Sequence, residues 1–233
     1  MRRLIFDISI ELTDFRDGGI ALTAFIDRIA TLRVDRLPLL GDFISSAIQN
    51  KLNVIELGCG CGMVGIGLAQ SVPNCNVILT DMPEAEEIAT RNVSRMNPAE
   101  SSNVVFVPLD WEFPLPQSIR SRVFDIILVS ECTYNSDTIP ALVQTISELN
   151  KRSPKACVLV STKVRHSSES MFFELMHKAD FVRASHTKLP LPKDESSQED
   201  PEVVHVYVFH SRAISVNTIA SKNNDNQIGG DLA

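Results

Sequence analysis

The sequence predicts an α/β fold in which seven strands form a mostly parallel sheet, with an antiparallel last strand and helices on both faces. Three observations lead there. Short apolar runs recur at residues 53–57, 76–80, 104–108, 124–130 and 156–161, with helical stretches between them, so the rhythm is β-α-β-α. Runs such as Ile126-Ile127-Leu128-Val129 are apolar at every position, as suits central strands of a parallel sheet covered by helices. After residue 180 the rhythm changes: 181–189 and 203–209 are consecutive strand candidates, joined by a polar stretch over 190–201 that suits an exposed hairpin loop.

Taken in order, Phe6-Asp7-Ile8-Ser9-Ile10-Glu11-Leu12 alternates apolar and polar side chains and predicts an edge strand or hairpin arm. After Gly18-Gly19, residues Ala21, Leu22, Phe25, Ile26, Ile29 and Leu32 recur mostly at three- and four-residue intervals, which places them on one helical face. A second helix is expected over Leu39 to Gln49. Further helices are expected over Pro83 to Met96 and Thr138 to Lys151. From Ala220 onward Ser, Asn, Asp and Gly dominate, too polar to offset the entropy of ordering, so the tail is expected to be disordered. The expected organisation is an N-terminal strand and helices on the substrate side over 1–50, a ligand-binding domain over 51–212, and a tail over 213–233.

Composition narrows the function. The chain of 233 residues carries 22 Lys plus Arg against 29 Asp plus Glu, a formal net charge of −7, which disfavours a nucleic-acid partner held by bulk charge. No apolar run approaches the roughly 20 residues that span a bilayer, and Asp7 interrupts the N-terminal apolar stretch too early for a signal-peptide core. A cytoplasmic location, extending to the nucleus, is the expectation. Cys59, Cys61, Cys75, Cys132 and Cys157 contain no C-x-x-C pair, so neither a disulfide framework nor a zinc site is indicated. His205 and His210 flank the last strand in a spacing that matches no metal motif, and no metal is expected.

The most informative segment runs from Val54 to Ala69. A buried strand carries Glu56 near its end, and Gly58, Gly60 and Gly62 then turn the chain toward a helix rich in small residues. Glycines there let a ligand approach the backbone closely. Counted from Gly60 through Gly62 and Gly65, the turn also fits the G-x-G-x-x-G spacing of a dinucleotide site, so spacing alone leaves a nicotinamide or flavin cofactor open. Asp81 closes the next strand, where a carboxylate can accept hydrogen bonds from both ribose hydroxyls.

The whole pattern E-x-G-x-G-x-G more closely resembles the cofactor turn of the seven-strand S-adenosylmethionine-dependent methyltransferases, a Rossmann-like family. The resemblance implies that Glu56, Gly58, Gly60 and Gly62 receive the amino-acid portion of the cofactor and Asp81 the ribose. It implies that Asp110 and Trp111, directly after the third strand, flank the adenine. A narrower match follows the fourth strand, where Glu131-Cys132-Thr133-Tyr134 resembles the [DE]-x-x-[YF] signature of the protein-lysine methyltransferases called methyltransferase family 16. Ser130, at the end of that strand, is assigned to the cofactor site. Glu131 and Tyr134 are assigned to catalysis, Glu131 orienting the lysine ammonium and Tyr134 positioning the amine.

The resemblance implies S-adenosyl-L-methionine as cofactor and a lysine of another protein as acceptor. Two other readings stay open, methylation of a small molecule on the same scaffold and a weakly catalytic subunit acting through a partner. One departure bears on the last. The family usually covers the cofactor with a tryptophan-containing segment, whereas residues 1–50 contain no tryptophan and offer only Asp17-Gly18-Gly19-Ile20 as a diverged remnant.

Overall fold

A computed structural model describes residues 51–96, 98–99, 102–163, 168–190 and 202–213. The expected N-terminal strand, the two helices before residue 50, most of the 190–201 loop and the tail from 214 onward lie outside the described residues. Within them the order is β1 (Leu52–Leu57), α1 (Met63–Ser71), β2 (Cys75–Asp81), a 3-10 turn (Pro83–Ala85) and α2 (Glu86–Arg95). It continues with β3 (Asn103–Pro108), α3 (Gln117–Arg120), β4 (Ile126–Ser130), α4 (Ile139–Arg152) and β5 (Cys157–Thr162). The last elements are α5 (Ser168–Lys178), β6 (Phe181–Pro190) and β7 (Val203–Ser211).

The seven strands form one sheet in the order β3-β2-β1-β4-β5-β7-β6. The first five are mutually parallel, and β7 runs antiparallel to both β5 and β6 between which it lies. The period-two geometry of a strand sends alternate side chains to opposite faces, and the core divides accordingly. Val54, Val77, Leu79, Ile126 and Leu128 pack with Val64, Ile66 and Leu68 of α1 and Ala89 of α2. Their neighbours Ile55, Ile78, Ile127 and Val129 pack with Ile119 of α3, with Leu142 and Ile146 of α4, and with Phe172 of α5. Helices therefore cover both faces.

The helices form for different reasons. In α1 every residue from Met63 to Ala69 is buried, so no polar face is needed. In α4 Ile139, Leu142, Val143, Ile146 and Leu149 make one buried stripe, while Lys151 and Arg152 in the last turn face the negative end of the helix dipole. The segment before β4 is held by side chains: the Asp125 carboxylate accepts the Asn53 N–H at 2.8 Å and Ser153 Oγ accepts the Phe124 N–H at 2.8 Å. That contact fixes β4 beside β1, on which the site depends.

Phe172 is fully buried and meets Phe173 and Phe209 edge-on at centroid distances of 5.6 and 6.3 Å. Phe172→Ala leaves a cavity under β7 and is expected to cost about 3–5 kcal/mol. A urea midpoint shifted by much less would show that α5 closes over the gap.

Candidate active site

The strand order turns outward in two directions from β1 and β4, and at such a switch point the carboxyl ends of the strands leave a crevice. A cavity of about 730 Å³ opens there. Glu56, Gly58, Gly60, Asp81, Asp110, Trp111, Ser130, Glu131 and Tyr134 all line it, drawn from the ends of four strands. Gly62 differs from the sequence-based assignment and stands outside that lining.

The three alternating glycines do different work. All are left-handed, with φ of 67° at Gly58, 53° at Gly60 and 82° at Gly62, a region that other residues enter only under strain. A Cβ at Gly60 would meet no atom within 4 Å, so its backbone borders the open cavity. A Cβ at Gly58 would stand 2.5 Å from Cys132 Sγ and 3.1 Å from the Trp111 ring, so this glycine lets β4 and the β3 loop close on the turn. At Gly62 a Cβ would strike the Leu79 side chain at 2.8 Å; this residue caps α1 and packs it on the sheet. Gly65, which completed the dinucleotide spacing, is likewise a packing glycine against Leu79 and Val77.

Asp81 ties the turn together. Its Oδ2 accepts the Gly60 N–H and its Oδ1 the Met82 N–H, each at 2.7 Å. A carboxylate oxygen has two acceptor positions, so both remain able to receive a ligand hydroxyl. Behind the turn, Asn92 Nδ2 donates to the Cys61 carbonyl at 2.9 Å, linking α2 to the glycines. Sequence reading overlooked Asn92; its signal was a polar residue three positions after Ala89 on the buried side of an amphipathic helix.

Glu56 is buried, and its Oε2 accepts the Gly65 N–H at 2.8 Å. Burial pushes its carboxyl up to about 8, opposed by the Gly65 hydrogen bond and reinforced by the charge of Asp81. The same burial raises the Cys59 thiol far above its ordinary range, with Glu56 and Asp81 adding to the rise, which removes it as a nucleophile.

On the opposite wall, Asp110 Oδ1 accepts the Glu112 N–H at 2.9 Å and so shapes the loop that carries Trp111. The indole Nε1 of Trp111 is buried with no hydrogen-bond partner, an orphaned donor at the wall of the cavity. Glu131 adopts a left-handed backbone, φ 55°, directly after β4. A non-glycine residue held there stores strain of the kind that gathers at functional sites. Its Oε1 accepts the Lys163 N–H at 2.9 Å and thereby joins the ends of β4 and β5. Tyr134, 57% exposed, stands at the mouth. Cys132, an unassigned position of the four-residue signature, lies between them. Its Sγ is 3.1 Å from the Ser130 carbonyl and 3.4 Å from that of Leu57, and it wedges the two central strands apart beneath Gly58. Nothing in its local sequence marked that contact, which spans 75 residues.

Five carboxylates line the cavity, those of Glu56, Asp81, Asp110, Glu112 and Glu131, and none of the lining residues is Lys, Arg or His. Such a donor set suits a ligand bearing a sulfonium and an ammonium, and it repels the pyrophosphate of a dinucleotide. With the open space over Gly60 and the orphaned indole donor, the residues present fit S-adenosylmethionine.

Comparison with known proteins agrees. Residues 16–179 match the family model described as lysine methyltransferase. The chain is 34% identical to the protein N-lysine methyltransferase METTL21A of Danio rerio over 155 residues, covering 66% of this chain and 64% of that protein. It is 34% identical to EEF1A lysine methyltransferase 3 of Xenopus tropicalis over 120 residues, 52% of this chain and 50% of the relative. The chain spans between 37% and 66% of the length of the curated relatives it matches. Among solved structures, magnesium protoporphyrin IX methyltransferase from Synechocystis with bound SAM superposes at a TM-score of 0.50 and 14% identity, over 87% of this chain and 88% of that one. That likeness is one of fold.

Proposed function

Because this chain belongs to the lysine methyltransferase family, we propose that it transfers the methyl group of S-adenosylmethionine to a lysine side chain of another protein. The relatives named as protein N-lysine methyltransferases support that acceptor. The observation that carries the reading is the cavity itself, five carboxylates and no basic side chain at the carboxyl ends of the central strands. A site of that sign favours both a cationic methyl donor and an ammonium acceptor.

In this reading Gly58 and Gly60 admit the amino-acid end of the cofactor, Asp81 takes the ribose hydroxyls, and Asp110 and Trp111 flank the adenine. The cofactor supplies an electrophilic methyl group on a sulfonium. The protein has three tasks: to align the acceptor, to exclude water and to favour the neutral amine. A lysine amine titrates near about 10.4 in water and must shed a proton before it attacks. Glu131 meets the arriving ammonium by charge, and the exposed Tyr134 ring and hydroxyl orient the amine toward the cavity. Transfer into a cavity walled by Trp111, Leu109 and Met63 lowers the cost of losing that proton, because a water-poor setting disfavours the ammonium.

The test incubates the purified full chain with radiolabelled S-adenosylmethionine and an extract of cells lacking this protein. Label is expected in a protein band, on a lysine by peptide mass spectrometry, and only with the wild-type chain. Label confined to a small molecule would overturn the acceptor and leave the cofactor assignment standing.

A further inference from the structure

Glu56 is the one carboxylate of the cavity that lies almost wholly beneath the glycine turn. Its residue is 1% exposed, and Oε2 accepts the Gly65 N–H at the first turn of α1. The backbone closes on that oxygen so tightly that a Cβ at Gly65 would stand 2.8 Å from it. Two influences therefore oppose each other on one group. Removal from water favours the neutral acid, while the N–H and the positive end of α1 favour the carboxylate. The titratable groups facing it are Asp81 from β2 and the Cys59 thiol from the turn, and neither supplies a positive charge. A group balanced in this way responds to a cation that enters beside it.

We propose that Glu56 makes the cavity select the methyl donor over the spent product by charge: it is a neutral acid in the unliganded chain, releases its proton to solvent when the sulfonium binds, and takes a proton back once transfer has left a neutral thioether. The inference rests on the cofactor reading above. Burial that pushes the unliganded carboxyl up to about 8 supports it. The direction of the pH effect follows. The folded chain holds an extra proton between the ordinary value of 4.5 and about 8. The stability this group contributes is complete below that window and is lost as pH rises through it.

Calorimetry of S-adenosylmethionine binding to the full chain at pH 7, in two buffers of different ionisation enthalpy, counts the protons exchanged. The expected result is release of about one proton per S-adenosylmethionine bound and little with S-adenosylhomocysteine. Glu56→Gln is expected to abolish the release and to lose a several-fold preference for donor over product. The unliganded chain offers a second readout: between pH 5 and pH 8 the wild-type Tm is expected to fall relative to that of Glu56→Gln. If that variant does not fold, the wild-type buffer comparison decides alone. Binding with buffer-independent heats would overturn the inference and leave the cofactor reading standing. Absence of binding would overturn both.

Discussion

Asp81→Ala is expected to lower affinity for S-adenosylmethionine by about two orders of magnitude, because two charge-assisted hydrogen bonds disappear together, each worth about 1.5–3 kcal/mol. One holds Gly60, whose backbone borders the cavity, and the other holds Met82, where β2 passes into the following turn. Loss of both frees the loop that the ligand must meet in a single conformation, and the ribose loses its acceptor as well. Asp81→Asn keeps one carbonyl acceptor and is expected to fall between the variant and the wild type. The Asp81 side chain is only partly buried and lies at the rim of the sheet, so thermal stability should change much less than affinity. Calorimetry and a melting curve on the same preparations separate the two effects. Unchanged affinity in the alanine variant would sink the assignment of this turn.

Glu131→Ala is expected to reduce turnover about a hundredfold, the lower range for loss of a positioned acid or base group, while cofactor affinity stays within a few-fold. Two further variants divide its roles. Glu131→Gln keeps an acceptor for the Lys163 N–H that joins β4 to β5 but removes the charge that meets the ammonium. Glu131→Gly removes the side chain and relieves the left-handed backbone at φ 55°, a strain of about 1–2 kcal/mol. If the charge matters, the glutamine variant stays slow although it melts like the wild type. If Glu131 serves only to tie the strands, the glutamine variant recovers full turnover, and the catalytic assignment is wrong.

The legible part of this protein was local. Alternation along Val54-Ile55 and Ile126-Ile127-Leu128-Val129, the switch to helical spacing at Ile139, Leu142 and Ile146, and glycines at a strand end are written within a few residues of one another. They set the seven strands to within about two residues and placed Glu56, Asp81, Asp110 and Glu131 at strand ends, where an open parallel sheet gathers its ligands. The functional residues that escaped notice, Cys132 and Asn92, are ones whose partners are distant in the chain, Leu57 and Cys61 respectively.

The sequence by itself determined the α/β class, the antiparallel final pair and the acidic residues that face one edge, because each is encoded by short-range periodicity or by residue type. Only the tertiary structure decided that β7 inserts between β5 and β6, that Asp81 clamps Gly60, and that Glu56 is buried beneath Gly65. It also decided that of three glycines identical in the motif, one borders the cavity and two make room for Cys132 and Leu79. The physical reason is that strand pairing and side-chain desolvation depend on which distant segments come to lie within a few ångströms, and residue spacing carries no record of that distance.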